Sequence, residues 1–301
     1  MHSFLRTIGF SEDSLTESAL EIPLGETYRA YDQMVSVMGK NTNIAYIEAG
    51  KAFGPNFGLK VCGELDGTGF HRTNYFPYLR SNLVTSSESL QIQQSTDGSS
   101  YIGVIADGRV GFPLAFSLQN PGDYNRELRF GQPGDDFIST TLTGMCLSAA
   151  ILLPLRQFNE TPEEKALYYD KRINAVAEAK RGDEKAIQLV TLQDMDLYTM
   201  VSRRLQEEDL FSIIETYMIP YGLERTMYRI LGRIENVHYY RNSYTDEFVC
   251  VMTLQCNGMV FDTAINRKDI IGEPKIGRRF KGNIWMQGKM NFRQKSETGK
   301  V

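Results

Sequence analysis

Hydrophobic and polar residues alternate strictly along Arg279–Arg293, near the C-terminal end of the chain. Successive side chains of a strand point to opposite faces, so the alternation predicts a strand with one core face and one polar face. The core face carries Phe280, Gly282, Ile284, Met286, Gly288, Met290 and Phe292. The polar face carries the only tryptophan, Trp285, among basic residues.

We take a set of seven residues, here called the basic face, as the candidate ligand-binding residues. Five lie on the polar side of the last strand, and two lie at alternate positions of an earlier predicted strand, Met227–Val237. The seven are Arg229, Arg233, Arg279, Lys281, Trp285, Lys289 and Arg293.

The first half of the chain predicts an antiparallel sheet. Three Asp-Gly pairs, at Asp66, Asp97 and Asp107, lie between strand-like runs, and Asp-Gly supplies the positive φ angles of tight hairpin turns. The runs are Leu59–Leu65, Phe70–Leu79, Leu90–Gln94, Tyr101–Ile105 and Val110–Leu118. A helix is predicted before them, at Glu26–Met38, because apolar residues recur there at spacings of three and four. Residues 1–158 are therefore interpreted as an α+β domain.

The middle of the chain, residues 159–220, predicts a helical extension. Thr161 and Pro162 form a typical helix start, and the apolar spacing continues to about Arg181. A second helical pattern spans Asp194–Leu205. Residues 137–155 and 209–219 fit strand and helix about equally, so both assignments stay open.

Residues 221–301 predict a separate small domain that begins after Pro220-Tyr221-Gly222. Its predicted strands, with a short helical turn before the last, resemble a small β-barrel of the OB kind. The predicted fold is thus α+β: an N-terminal antiparallel sheet with helices, a helical middle segment and a C-terminal OB-like barrel.

Charge is divided unevenly between these parts. Residues 221–301 hold 14 lysines and arginines against 8 acidic residues, whereas the rest of the chain holds 19 against 29. A basic module on an acidic body favours either an anionic partner or attraction between the two parts.

The composition indicates a cytoplasmic protein without a membrane partner. Four cysteines lack metal-ligand spacing and a dense disulfide pattern, which is typical of a reducing compartment. The N-terminus lacks the apolar core of a signal peptide, and the most apolar stretch, Met145–Leu155, is shorter than the roughly 20 residues of a membrane-spanning helix.

Candidate chemistry is sparse. The sequence predicts no catalytic residue, metal site or cofactor, because phosphate-loop, serine-elbow and zinc motifs are all absent. One group of acidic residues could hold Mg²⁺ or transfer protons, although turn chemistry explains it equally well. This carboxylate group, with its neighbouring arginines, comprises Asp123, Arg126, Glu127, Arg129, Asp135 and Asp136.

Three functional hypotheses remain. The first is a binding protein whose basic face recognises a polyanion such as RNA, with Trp285 stacking on bases. The second is an adaptor for a protein partner, in which the basic face docks on the chain's own acidic part and Trp285 is buried. The third is an enzyme that uses the carboxylates near Asp123 and Asp135.

Three segments carry a resemblance to a known family: Met1–Phe10, Glu208–Ile213 and Ile271–Gly288. With these segments the chain resembles, from end to end, an uncharacterised family of Firmicutes proteins catalogued as a domain of unknown function. The resemblance implies a cytosolic bacterial setting and no particular activity, ligand or catalytic residue.

Overall fold

The structure is a computed structural model of the chain. It describes residues 2–13, 15–40, 42–95, 100–130, 136–155, 171, 174–179, 181–192, 195, 211 and 214–293. These residues form a mostly β protein with fourteen strands in two sheets.

The first sheet is a four-stranded antiparallel meander in the order β1-β2-β3-β4. Its strands are β1 (Gln33–Met38), β2 (Ala45–Ala52), β3 (Phe57–Asp66) and β4 (Gly69–Leu79). The turn between β3 and β4 is the predicted Asp66-Gly67 hairpin, in which the Asp66 carboxylate accepts the backbone N–H of Thr68 at 2.7 Å.

The second sheet contains ten strands from both halves of the chain. They are β5 (Leu90–Gln94), β6 (Tyr101–Ile105), β7 (Leu114–Leu118), β8 (Phe137–Leu152), β9 (Tyr217–Pro220), β10 (Met227–Arg241), β11 (Phe248–Cys256), β12 (Met259–Asn266), β13 (Ile270–Ile271) and β14 (Arg279–Phe292). Residues 137–152, whose assignment the sequence left open, are therefore one long strand.

Strand β8 joins the N-terminal half to the C-terminal strands. It pairs antiparallel with β14 along almost its whole length, and parallel with β12 and β13. The pairings β8–β12–β11–β10–β14–β8 close a ring. The predicted OB-like barrel within residues 221–301 is wrong, because those strands complete their hydrogen bonding only with β8.

The α+β assignment is also wrong, and the helices are few and short. The described helices of at least two turns in the first half are a 3₁₀ helix at Ser3–Ile8, α1 (Glu21–Arg29) and α2 (Pro121–Phe130). The predicted helix at Glu26–Met38 ends at Arg29, and Gln33–Met38 is an edge strand paired with β2. Pairing with β2 overrode a helical spacing that rested on β-branched and aromatic residues.

The prediction of a helical middle segment as a part of the fold is wrong, because two sheets define the described architecture and one strand of the second sheet lies within residues 159–220. Short helical stretches at 174–179 and 184–192 are described, and the rest of that prediction lies outside the described residues. Tyr217–Pro220 is a strand paired with β10. The division of the chain at residues 158 and 220 stays a prediction about folding units. Among the described residues, no helix has the length and apolar character needed to span a bilayer.

Two apolar clusters lie on opposite faces of β14; its alternation predicts the first, whereas the second lies on the face predicted to be polar. One contains Phe280, Ile284, Met286 and Met290, which pack among the strands of the second sheet. The other contains Trp285 and lies between the two sheets and the N-terminal 3₁₀ helix. The four cysteines are buried free thiols, as the sequence indicates, and burial raises the pKa of Cys256 to about 12.

Candidate functional site

Trp285 is buried between the sheets, with 9% of its surface exposed. Its ring lies 5.1 Å from that of Phe4 and 5.0 Å from that of His2, centroid to centroid. Its indole N–H donates to the Ser117 hydroxyl at 2.8 Å. The side chain therefore packs against the N-terminal segment, as the second hypothesis expects, and offers no open stacking surface.

Arg279 is also buried, with 6% exposed. Its guanidinium donates to the backbone carbonyls of Leu153 at 2.9 Å, Phe211 at 2.7 Å and Ile214 at 2.8 Å. Burial lowers the pKa of this guanidinium from its ordinary value. Lys281 lies over the Phe211 ring, 3.8 Å from its centroid. Both side chains thus hold Phe211 against β14, and Arg279 also holds Ile214.

The remaining arginines of the basic face lie in two places: Arg229 and Arg233 on β10, where Arg233 pairs directly with Arg279, and Arg293 just after β14. Arg229 stacks on Tyr221 with its guanidinium carbon 4.7 Å from the ring centroid, and Arg233 forms an ion pair with Glu235 at 2.7 Å. Arg293 is exposed at the end of the described chain. The basic face is therefore divided: Arg229, Arg233, Arg279 and Lys281 lie where β10 pairs with β14, whereas Lys289 and Arg293 lie beyond that pairing, toward the other end of β14.

Lys289 is the member of the basic face that opens into a cleft. The cleft has a volume of about 340 Å³ and lies between the first sheet, β14 and the start of α2. Its lining is mainly polar and comprises Gln33, Val35, Glu48, Gly50, Lys60, Tyr78, Arg80, Ser81, Gln119, Asn120, Asp123, Thr141 and Lys289. The volume lies in the range of small-ligand sites.

A buried ion pair forms the floor of the cleft. The ammonium of Lys60 donates to the carboxylate of Glu48 and, at 2.6 Å, to the carbonyl of Gln119. The other Glu48 oxygen accepts the backbone N–H of Gly122 at 2.7 Å, at the N-terminal end of α2. Burial lowers the pKa of Lys60, but the Glu48 carboxylate outweighs it and keeps that pKa above its ordinary value. The Lys60 ammonium and the Glu48 carboxylate therefore neutralise each other inside the protein.

Asp123 stands on the first turn of α2, where the sequence suggested a loop. Its carboxylate accepts from Arg126 at 2.8 Å and from the amide of Asn120 at 3.1 Å. Pro121 at the first helical position was the available sign of this helix. Glu127 is buried on α2, and Asp135 lies outside the described residues. The carboxylate group therefore contributes Asp123 alone to the cleft.

Two positively charged side chains at the cleft have no negatively charged partner among the described residues. Arg80 and Lys289 are exposed, and neither has a carboxylate partner in the part of the chain that the structure describes. Tyr78, two residues before Arg80, is buried, and burial raises the pKa of its phenol, so the hydroxyl is neutral. The cleft thus offers two unpaired positive charges and neutral donors to a ligand.

The sequence pointed to Lys289 and Asp123 but missed Glu48, Lys60 and Arg80. Glu48 and Lys60 interrupt otherwise apolar or small-residue runs, Ala45–Gly50 and Phe57–Cys62. A charged residue inside a buried strand needs a partner, which was the signal for this site.

The comparisons with known proteins identify a family. A family model described as "Domain of unknown function, E. rectale Gene description (DUF3881)" matches residues 5–288. No curated protein and no solved structure matches the chain. The resemblance to an uncharacterised family that the sequence indicated is confirmed.

Proposed function

Because the chain belongs to this family of unknown function, whose description gives no ligand, we propose from the geometry that the protein binds a small anionic molecule in the cleft beside Lys289. The ligand chemistry is a carboxylate or a phosphate group carried by a small molecule. The family membership itself contributes nothing to this choice.

The charge balance of the cleft carries the proposal. Both carboxylates that line it are occupied: Glu48 by Lys60 and the Gly122 N–H, and Asp123 by Arg126 and Asn120. The two exposed cations, Arg80 and Lys289, have no carboxylate partner among the described residues, and Arg80 hydrogen-bonds the Tyr78 hydroxyl. Of the described residues that line the cleft, two cations lack a carboxylate partner and both carboxylates have partners, so the binding of an anion there is favoured electrostatically.

The side chains also suit a specific ligand rather than a diffuse ion cloud. Arg80 presents a planar fork that can bind two oxygens of one anion, whereas Lys289 supplies a single charge from the β14 side. Gln33, Ser81 and Thr141 add polar groups around the cleft. These groups would orient the uncharged part of the ligand.

The three earlier hypotheses stand as follows. Recognition of RNA stays a prediction. Trp285 is buried and Arg279 donates to three backbone carbonyls, so neither side chain is open to RNA. Lys289 is the residue of the basic face through which the cleft could bind RNA. The burial of Trp285 against the N-terminal segment supports the docking of the basic face that the adaptor hypothesis assumes. This burial does not by itself indicate a protein partner. Catalysis by the carboxylates near Asp123 would need a partner group that the described residues do not bring to it.

Thermal denaturation in a panel of anions tests the proposal. Inorganic phosphate, pyrophosphate and citrate are compared with chloride at equal ionic strength, because a ligand that binds only the folded state raises the melting temperature. We expect at least one multivalent anion to raise the melting temperature of the wild type above the chloride value.

Matched variants locate the effect. Lys289→Ala and Arg80→Ala should each abolish most of the shift, whereas Lys275→Ala should keep it, because Lys275 is exposed and paired with Glu273 away from the cleft. Equal shifts for Lys289→Ala and wild type would contradict the proposal. Single-stranded RNA added at low salt to the same proteins separates a small anion from a polyanion.

A further inference from the structure

The first sheet has one protected edge and one open edge. Strand β4 forms one edge and carries His71, Arg72 and Pro77, residues that discourage pairing with another chain. Strand β1 forms the other, and its six residues, Gln-Met-Val-Ser-Val-Met, include neither a charge nor a proline. No described strand pairs with its outer side. An unprotected edge of this kind is a template for another strand.

The backbone of β1 shows which residues face that open side. The hairpin bond from Gly39 N–H to Ile44 C=O, at 2.8 Å, fixes the phase of the β1–β2 ladder. In an antiparallel pair, hydrogen-bonded positions alternate with positions whose groups point away. The N–H and C=O groups of Met34, Ser36 and Met38 therefore point outward.

The side chains of the same alternate residues form a self-complementary pattern. Met34, Ser36 and Met38 share one face of β1, Asp32 and Lys40 lie just beyond its two ends, and all five are exposed. The Asp32 carboxylate also accepts the backbone N–H of Ala52 at 2.6 Å. Met34 is 39% and Met38 is 47% exposed, which is unusual for two large apolar side chains on one strand. The pattern runs acidic, Met, Ser, Met, basic, so it complements itself when reversed.

From these observations we propose that two copies of the chain pair antiparallel through β1, with Ser36 opposite Ser36 of the second copy. This register places Met34 opposite Met38 and Asp32 opposite Lys40, twice each by symmetry. It pairs all the outward backbone groups of Met34, Ser36 and Met38. The result is a continuous eight-stranded sheet, in which a Met34–Met38 pair lies on each side of the central Ser36 pair.

The face of β1 that carries Gln33 and Val35 borders the cleft and is not used in the proposed pairing. Val35 faces α2, where an added Cβ on Gly122 would approach its side chain to 3.0 Å. Gln33 and Val35 line the cleft, so they do not take part in the methionine contact. Dimerisation and ligand binding thus use different sides of the same strand and can be tested separately.

Sedimentation over a concentration series measures the first consequence. We expect a concentration-dependent dimer for the wild type. We expect a shift toward monomer for Ser36→Pro, which removes an outward N–H while leaving the bonds to β2 intact. A wild type that sediments as a monomer throughout overturns the proposal, as does a Ser36→Pro protein that folds and dimerises like the wild type.

Oxidative cross-linking tests the register. Ser36→Cys places two thiols at facing positions about 5.5 Å apart between Cα atoms, within disulfide range. Met34→Cys is the matched control, because its two copies would lie roughly 13 Å apart along the paired strands. The four native cysteines are buried and stay silent. We expect a covalent dimer for Ser36→Cys alone; equal cross-linking of both variants overturns the register.

Charge exchange gives an independent test. Lys40→Glu should weaken the homodimer several-fold, because glutamate then faces Asp32 at both ends. Asp32→Lys should do the same with lysine facing Lys40. Mixing the two variants should restore a dimer that contains one chain of each, since every facing pair is again opposite in charge. Failure of the mixture to associate more tightly than either variant alone overturns the proposal.

Discussion

Lys60 and Glu48 form an ion pair inside the protein, with 13% and 5% of their side chains exposed. The two residues lie on neighbouring strands, β3 and β2, on the face that looks toward α2. This pair holds the floor of the cleft, because it also binds the Gln119 carbonyl and the Gly122 N–H.

Removing one member of this pair should be costly. Glu48→Gln leaves the Lys60 ammonium buried without its counter-charge, and we expect a loss of about 3–5 kcal/mol in the free energy of unfolding. The double variant Glu48→Gln with Lys60→Met removes both charges and should recover much of that loss. Urea denaturation measures both. A single variant as stable as the wild type would mean that water reaches Lys60 freely.

Stability should fall in acid through Glu247. Burial raises the pKa of this carboxyl, but hydrogen bonds from Ser11, Asn266 and Lys268 outweigh it and hold the pKa below its ordinary value. A lowered pKa stabilises the folded state above the unfolded pKa of about 4.3, and this contribution is lost as the pH falls through the folded pKa. Denaturation curves between about pH 5 and pH 3 should therefore show a steeper loss for the wild type than for Glu247→Gln.

The Glu247 carboxylate also joins distant parts of the chain, which explains why its protonation should affect stability. It connects Ser11 near the N-terminus with Asn266, the last residue of β12, and with Lys268 just after that strand. Glu235→Gln is the control, because Glu235 is half-exposed and pairs locally with Arg233. An identical acid slope for Glu247→Gln and wild type would remove Glu247 from the account of acid stability.

The burial of Trp285 has a direct optical consequence. Its fluorescence should be poorly quenched by iodide in the native protein, because the indole is buried, and strongly quenched in urea. Trp285 is the only tryptophan, so the signal comes from this residue alone. Trp285→Ala should cost about 3–5 kcal/mol, because it opens a cavity against Phe4 and leaves the Ser117 hydroxyl without its donor. Trp285→Phe keeps most of the packing and should cost less. Native quenching close to that of the unfolded chain would place the indole in solvent.

The sharing of one sheet between β8 and the C-terminal strands predicts one unfolding transition. A fragment of residues 221–301 should fail to unfold cooperatively, because β12 and β14 would expose the edges that β8 covers. Circular dichroism and Trp285 fluorescence of the full chain should report the same urea midpoint. Separate midpoints would instead support a division near residue 220.

Local pattern was sufficient for much of the second sheet. The period of two along Arg279–Arg293 correctly predicted that Ile284 and Trp285 lie on opposite faces, but the face of Trp285, predicted to be polar, lies in an apolar cluster. The face on which each of these side chains lies follows from its position along the strand, so this prediction needed no knowledge of contacts distant in sequence. The Asp66-Gly67 turn was predictable for the same reason, because its geometry is fixed by the two residues themselves.

Long-range pairing was not predictable in this way. Nothing in the residues 137–152 indicates that they lie between β12 and β14 rather than beside β7, since any apolar strand satisfies either neighbour. The cleft was missed for a related reason. Glu48, Lys60, Arg80 and Lys289 are contributed by four strands or their ends, and only the pairing of the sheets brings them together.

The position of β8 also affects how the protein can be made on the ribosome. Phe137–Leu152 leaves the exit tunnel long before Arg279–Phe292, the strand that covers its antiparallel edge, has been synthesised. Translation proceeds at roughly 5–20 residues per second, so an apolar strand waits several seconds without its main partner. Contacts so distant in sequence also slow folding itself. The nascent chain is therefore most prone to aggregate during this interval, and slowing translation before Arg279 should lower the soluble yield.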